Sequence, residues 1–471
     1  MGKDFRGYID QLDRAGELIH VTREVDPDRN MGVLCWHAQD KAVLFEAIAG
    51  HPGWRALGQA PANFRQLALA LGLPEKSLVL DLARVLERPG IKPQAVSSAP
   101  CKEVIWTGDQ VDLRKIPVHV HSQRDGGRFI AGGIGVVKDP DTGVYNMSYH
   151  RMMITGRTRT GFMMVPRHAW QVLQKYEARG EPMPVAVAIG NHPAILLAAS
   201  LTGTFEMDEM EIAGTLLGSP LPTVACETLD LMVPADSEIV LEGLIPPGVR
   251  EQEGPFGEFQ GYYLTGAKDS PVFEARCVTM RRDPIYMLMQ SGYDVEAAIF
   301  HRIPMAITQY NRLRDVEGGS VKIHNVNVLP SNFINVIQMT PRFEGQAKNV
   351  LLAALSGPYL HPKIAIAVDE DVDPFDPADV FWAVATRVNP ERDVMILPGV
   401  RNHPMDPAIT AYDPAEAAHR TLMQSVGSKM LIDATKPPLT SPARPVFDRI
   451  RPMGWGEVNP EEWFGPAFRK G

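Results

Sequence analysis

The chain has 471 residues, 47 basic and 56 acidic side chains, a net charge of -9 and 45% hydrophobic residues. That length exceeds one ordinary core, so two or three domains are expected; the acidic balance, with no dense Lys/Arg block, excludes an electrostatic footprint for nucleic acid or an anionic membrane. No apolar stretch approaches a membrane span, Cys35, Cys101, Cys226 and Cys277 lie far apart without metal spacing, and the N-terminus has no apolar signal core, so a cytoplasmic protein with free thiols, no membrane insertion and a small-molecule partner is expected.

In chain order, "DFRGYIDQLDRAG" reads as an amphipathic helix closed by glycine, "ELIHVTREV" as a strand, and "NFRQLALALGL" as a helix capped by Asn63. "ERPGIKPQAVSSAP", residues 87–100, reads as a connector. The middle of the chain turns towards strands. "FIAGGIGVVKDPDTGVYNMSYHRMMITG" is two extended runs about an Asp-Pro-Asp-Thr-Gly turn, and "VFEARCVTMRRDPIYMLMQ" repeats that hairpin pattern about Arg-Arg-Asp-Pro. "MPVAVAIG" and "SEIVLEGLI" read as further strands, with helices opening at Asn191 and running through "DEMEIAGTLLG" to Gly218. After the amphipathic run "EAAIFHRIPMAITQYNRLRD", α/β alternation returns: strands at "VKIHNVNVL", "INVIQM", "KIAIAV" and "DVMILP", and helices at "EGQAKNVLLAALSG" and "DPADVFWAVATRV". A β-rich middle domain, a barrel with helical insertions, is therefore expected between two α/β segments.

Two motifs are rejected. "GGIGVVKD" lacks the third glycine of a dinucleotide fingerprint and sits on a strand. "DEDVDPFD", residues 369–376, has alternating acids, but Pro374 stands where a calcium loop needs glycine; a solvated strand end capping a helix at Asp376 is expected.

The informative stretch is "EGPFGEFQGYY", residues 253–263. Pro255 fixes one φ while Gly254 and Gly257 permit unusual ones, so Glu253 and Glu258 either converge on one site or stand as two solvated acids on an exposed turn. If they converge, a carboxyl desolvated by the neighbouring aromatics becomes a proton donor near neutral pH, and a cation must hold the other charge. Upstream, "YNMSYHR" places Asn146, Ser148 and His150 on one strand face and Met147, Tyr149 and Arg151 on the other. Polar groups on both faces suggest a lined cavity, with a satisfied structural network as the alternative.

Taken in order, "NMSYHR", "PRHAW", "DEMEIAG", "EGPFGEFQGYY" and "GSKMLIDAT" resemble the UbiD family of decarboxylases, which use prenylated FMN; the resemblance covers nearly the whole chain. It implies an α/β (α+β) protein: an N-terminal α/β domain (1–105), a central split β-barrel of the flavin-reductase type that binds the cofactor (106–312), and a C-terminal α/β oligomerisation domain (313–471). It implies Mn2+ held by Asn146, His168 and Glu209 and touching the flavin phosphate, K+ on carbonyls near Ala198–Leu201, and a cofactor site that also includes Ser148, Arg151 and Lys363. Without the resemblance, His168 reads as a surface or core histidine and Glu209 as a solvated helix residue. The catalytic set implied is Arg151, Glu253 and Glu258, with Glu258 as general acid and Arg151 and Glu253 as its ion-paired support.

The activity implied is reversible, non-oxidative decarboxylation by a carboxy-lyase of an aromatic, heteroaromatic or α,β-unsaturated acid, with a flavin prenyltransferase supplying the cofactor and a homodimer or higher homo-oligomer as the assembly. Two other readings are an FMN-dependent oxidoreductase on a split-barrel fold and a non-catalytic assembly subunit. "SGYDVEAAIFHRIPMA" matches no substrate pattern; His301 and Arg302 either meet a polar group of the acid or form a solvated pair on a helix. "VRNHPMDPAITAYDP", residues 400–414, is a candidate lid.

Overall fold

The computed structural model describes residues 2–203, 207–264, 268–292, 296–410, 425–455 and 457–464. The local signals at the N-terminus form as expected. Asp4 caps the helix Phe5–Arg14 by accepting from the Gly7 N–H, and Asn63 caps Phe64–Leu71 by accepting from Gln66. Phe5, Tyr8, Ile9 and Leu12 give the first helix one buried face.

The central element is an antiparallel sheet in the order Arg159–Gly161, Lys268–Met280, Ile239–Ile245, Met183–Ile189, Ile134–Lys138 and Tyr145–Tyr149; Arg250–Glu253 and Val104–Thr107 also pair with the long strand Lys268–Met280. Among the described residues no pairing joins its two ends, so this sheet is not a closed barrel. The expected hairpin about the Asp-Pro-Asp-Thr-Gly turn is present, with Ile134 opposite Tyr149 and Lys138 opposite Tyr145.

The second expected hairpin is not. Ile285–Met287 leaves Lys268–Met280 and pairs in parallel with Arg55–Gly58, completing a four-stranded sheet with Leu18–Val21 and Ala42–Phe45. The physical reason lies in the Arg-Arg-Asp-Pro turn. Asp283 accepts from Arg6 at 3.3 Å, the Glu238 carboxylate takes the Ile285 N–H at 3.0 Å, and that of Glu103 takes the Arg282 N–H at 2.9 Å. These long-range partners redirect the chain onto another sheet.

The C-terminal sheet runs Lys322–Val328, Ile334–Thr340, Ile364–Val368, Val426–Ala434 and Val394–Arg401. The helix Gln346–Leu355 packs on one face; Pro377–Arg387, capped by Asp376, contributes Val380 and Ala383 to the small core on the other. The expected solvated strand end holds for Glu370, Asp373 and Asp376, which are exposed, but not for the other two acids: Asp369 is fully buried against Arg444 at 2.6 Å, and Asp371 meets Arg387 at 2.8 Å and Lys436 at 3.1 Å. A buried carboxylate needs such partners, and they come from Arg387 and from the chain after residue 435. The four cysteines are free thiols, and among the described residues no helix is long and apolar enough to cross a membrane.

Candidate active site

Antiparallel pairing of Arg250–Glu253 with Lys268–Met280 sets Glu253 opposite Lys268 at the strand's end, with its side chain fully buried. Gly161 makes the room: a Cβ there would lie 2.7 Å from Glu253 Cγ. The next residue, Gly254, has φ 103°, a conformation that suits glycine, and leads into Pro255. Gly257 lies outside the left-handed region, and a Cβ there would fall 3.2 Å from Ser122 Oγ, a tight contact that a small shift of the serine side chain would have to relieve.

The turn is clamped from behind. One oxygen of Asp125 accepts from the Gly257 N–H at 2.8 Å and the Tyr263 hydroxyl at 3.1 Å, and the other from the Ser122 N–H at 3.0 Å. Gly126 N–H donates to Pro255 O at 2.8 Å and Ser291 Oγ to Gly257 O at 2.6 Å. A turn tied at the Pro255 carbonyl and at both backbone groups of Gly257 delivers Glu258 to a fixed place.

Arg151 lies two residues beyond the strand Tyr145–Tyr149. Its Nε and Nη2 donate to the two oxygens of Glu253 at 2.9 and 3.1 Å, and its Nη1 to Glu258 Oε1 at 2.5 Å. The guanidinium carbon stands 5.0 Å from the centre of the Phe256 ring. The structure thus brings together all three expected catalytic residues, and the two acids converge instead of standing solvated. Burial works against the Arg151 charge, but Glu258 and Glu253 outweigh it and raise its hold on the proton. For Glu258 burial is the largest influence and raises its proton affinity above the ordinary glutamate value, against the opposing pull of Arg151.

A second polar cluster forms on the strand Tyr145–Tyr149. Asn146 Nδ2 donates to Glu209 Oε1 at 3.0 Å and the Met147 N–H to Glu209 Oε2 at 2.9 Å. Ser148 Oγ lies 3.1 Å from Asn146 Oδ1 and 2.9 Å from His150 Nε2. His150 is buried and its pKa is pushed down to about 4, so it is neutral, and its Nδ1–H donates to Met163 O at 3.1 Å. Glu209 is 2% exposed, not the solvated helix residue that its sequence alone suggests. Burial pushes its carboxyl up to about 7, and the neutral donors Met147 N–H and Asn146 Nδ2 only partly oppose this. His168 and Glu209 are the first residues of the helices His168–Arg179 and Glu209–Leu217, and both helices pack on the strand that carries Asn146. Among the described residues no group of three or more His, Cys, Asp or Glu side chains converges as a metal site.

Lys363 stands apart from this cluster in the contacts it makes, pairing with Asp406 at 2.9 Å and lying 5.3 Å from the centre of the Phe333 ring. Arg302 is not solvated: its Nε donates to Val328 O at 2.6 Å and its guanidinium covers Phe64, whereas His301 is exposed and lies 5.6 Å from Phe259, ring centre to ring centre. Residues 293–295 of the first substrate segment and 411–414 of the candidate lid lie outside the described residues. Sequence reasoning missed Asp125, Gly161 and Ser291. Their roles consist of contacts across more than 30 residues of chain, and the only local hint, Asp before Gly-Gly at 125–127, is a generic turn signal.

Comparison with known proteins identifies the family. Three domain models of one family match in order: the 3-octaprenyl-4-hydroxybenzoate carboxy-lyase N-terminal domain at 9–86, its Rift-related domain at 94–293 and its C-terminal domain at 299–434. Anhydromevalonate phosphate decarboxylase of Methanothermobacter thermautotrophicus is 37% identical over 379 residues, 79% of this chain and 83% of that protein. Phenolic acid decarboxylase of Bacillus subtilis is 31% identical over 452 residues, 92% of this chain and 93% of that one. The UbiD-class enzyme HmfF of Pelotomaculum thermopropionicum in complex with FMN superposes with a TM-score of 0.89 at 35% identity, covering 98% of this chain and 100% of HmfF; an evolved dimeric form in complex with prFMN gives 0.85. With the family's three domains matched in sequence order, and with an enzyme of that class superposing over almost the full length, this chain belongs to the UbiD family of carboxy-lyases.

Proposed function

We propose that the chain is a carboxy-lyase that removes CO2, reversibly and without net oxidation, from an aromatic, heteroaromatic or α,β-unsaturated acid, with prenylated FMN as cofactor and Glu258 as the proton donor. The observation that carries this reading is the Glu253–Arg151–Glu258 set, in which two acids of one rigid turn are differentiated by a single guanidinium.

The two carboxyls are not interchangeable. Glu253 is fully buried with both oxygens held by Arg151, so it is an orienting charge. Glu258 offers Arg151 one oxygen, keeps 12% of its side chain exposed and has a raised proton affinity. It can therefore take a proton from water and give it to the carbon that CO2 has left. A substrate carboxylate that draws on the Arg151 charge weakens that charge's pull on Glu258 and favours the protonated carboxyl.

Loss of CO2 from an sp2 carbon leaves a carbanion without delocalisation, and prenylated FMN, when bound, supplies the electron sink. The residues fit a phosphate-bearing group anchored by a cation. Buried Glu209 accepts from the neutral Asn146 amide and Met147 N–H, and the oxygens of Asn146 and Glu209 with the imidazole of His168 suit a hard divalent ion such as Mn2+. We assign Ser148 to the same anchor, Lys363 to the flavin phosphate, K+ to carbonyls near Ala198–Leu201, and the open central sheet to the split-barrel type. We also assign three domains, 1–105, 106–312 and 313–471, and a cytoplasmic homo-oligomer.

The deciding experiment is to co-produce the chain with a flavin prenyltransferase, record the mass and spectrum of the bound cofactor, and screen aromatic and acrylic acids for CO2 release. Recovery of unmodified FMN with hydride transfer from NAD(P)H, and no CO2 from any acid, overturns the proposal in favour of an oxidoreductase.

A further inference from the structure

The chain after residue 435 lies beyond the last matched domain, which ends at 434, and its charged side chains pin it to the C-terminal sheet and the helix Pro377–Arg387. Arg444 meets buried Asp369 at 2.6 Å, and Lys436 meets Asp371 at 3.1 Å. Arg449 reaches Asp379 at 2.6 Å, and its guanidinium carbon stands 3.9 Å from the centre of the Trp382 ring. The apolar side chains between and beyond these anchors face the other way. Ile450 and Met453 are wholly exposed, and Val446, Trp455 and Trp463 are 81, 58 and 76% exposed. Nowhere else among the described residues do so many large apolar side chains stand in water in so short a stretch.

This inverts the usual surface segment, which buries its apolar side chains and leaves Lys and Arg in solvent. The apolar face cannot turn back onto its own sheet without breaking the ion pairs that compensate Asp369 and Asp371, so its cover has to come from outside the chain. At about 150 Å2 for each fully exposed large side chain, the five offer about 600 Å2, most of the roughly 800 Å2 that each partner buries in a stable complex. Their flanks carry opposite charges: exposed Arg451 precedes Met453, and exposed Glu457 and Glu462 follow Trp455. A two-fold axis that crosses two such arms antiparallel sets the basic end of each against the acidic end of the other while apolar meets apolar, so the surface is complementary to itself.

We propose that the arm carrying Val446, Ile450, Met453, Trp455 and Trp463 is the docking surface for a second copy of this chain, with the two arms antiparallel about a two-fold axis and Ile450 and Met453 at its centre. The inference rests on the homo-oligomer assigned above and names the surface that makes it.

The test is sedimentation velocity of the purified full chain over a dilution series. The wild type should be an oligomer. Ile450→Glu combined with Met453→Glu changes side chains that lie in solvent in the single chain, so the variant should fold, as circular dichroism checks; its dissociation constant should rise at least about a hundredfold, to give a smaller species. Arg451→Glu alone should weaken association about tenfold, and adding Glu457→Arg and Glu462→Arg should restore it. An oligomer unchanged in the folded Ile450→Glu/Met453→Glu variant overturns the arm surface and leaves the homo-oligomer standing. A wild type that is monomeric throughout overturns both, and its flotation with phosphatidylcholine–phosphatidylglycerol vesicles would give the arm to a lipid surface instead. A charge swap that fails to restore association overturns the antiparallel crossing.

Discussion

Replacing Arg151 by methionine removes a cation from between two buried carboxylates while keeping much of the side chain's apolar volume. The structure sets the scale. Three charge-assisted hydrogen bonds, at 2.9, 3.1 and 2.5 Å, vanish together, and Glu253 is left fully buried without its partner. Breaking a buried pair from one side costs about 3–5 kcal/mol, because the remaining charge is uncompensated. The cost must depend on pH. Glu258 already holds its proton more tightly in the folded protein than an ordinary glutamate, chiefly through burial, and loss of the Arg151 charge removes the influence that opposes this.

A carboxyl whose folded pKa is raised contributes stability that is complete below the unfolded value of about 4.3 and is lost as pH rises through the folded value. The gap in melting temperature between wild type and Arg151→Met should therefore be small near pH 5 and wide near pH 8. Scanning fluorimetry across that range measures it directly. Equal gaps at both ends would refute the reasoning and make the loss one of packing, the Phe256 contact included.

Glu258→Gln keeps the shape and an acceptor for Arg151 but has no acidic proton; CO2 release should fall to background while absorbance shows the cofactor still bound. Gly161→Ala places a methyl 2.7 Å from Glu253 Cγ, so it should cost about 1–3 kcal/mol by overpacking and lower kcat with the metal content unchanged, as read by melting temperature, steady-state kinetics and elemental analysis. His168→Ala should lose manganese and flavin together; elemental analysis and flavin absorbance of the purified protein check this, and full retention of both would remove His168 from the anchor.

Much of the fold is legible because it is local. The caps at Asn63 and Asp376 and the 134–149 hairpin depend on neighbours within a few residues, and they form where the sequence places them. The second hairpin fails because its turn residues are held by Arg6, Glu103 and Glu238, far away in sequence, and no periodicity encodes such partners. At the site, the pairing of Arg151 with Glu253 and Glu258 spans 102 and 107 residues, so ordered motifs suggest it where spacing alone does not.

The parallel strand that Ile285–Met287 lends to Arg55–Gly58 ties the first hundred residues to a segment laid down almost two hundred residues later. Excising that opening portion as a minimal fragment would bare the backbone edge of Arg55–Gly58, an invitation to sticky self-pairing. During synthesis the same edge must wait uncovered until the ribosome has delivered residue 287, so a chaperone that shields it in the interval should raise the yield of soluble protein more than slower translation of the C-terminal third.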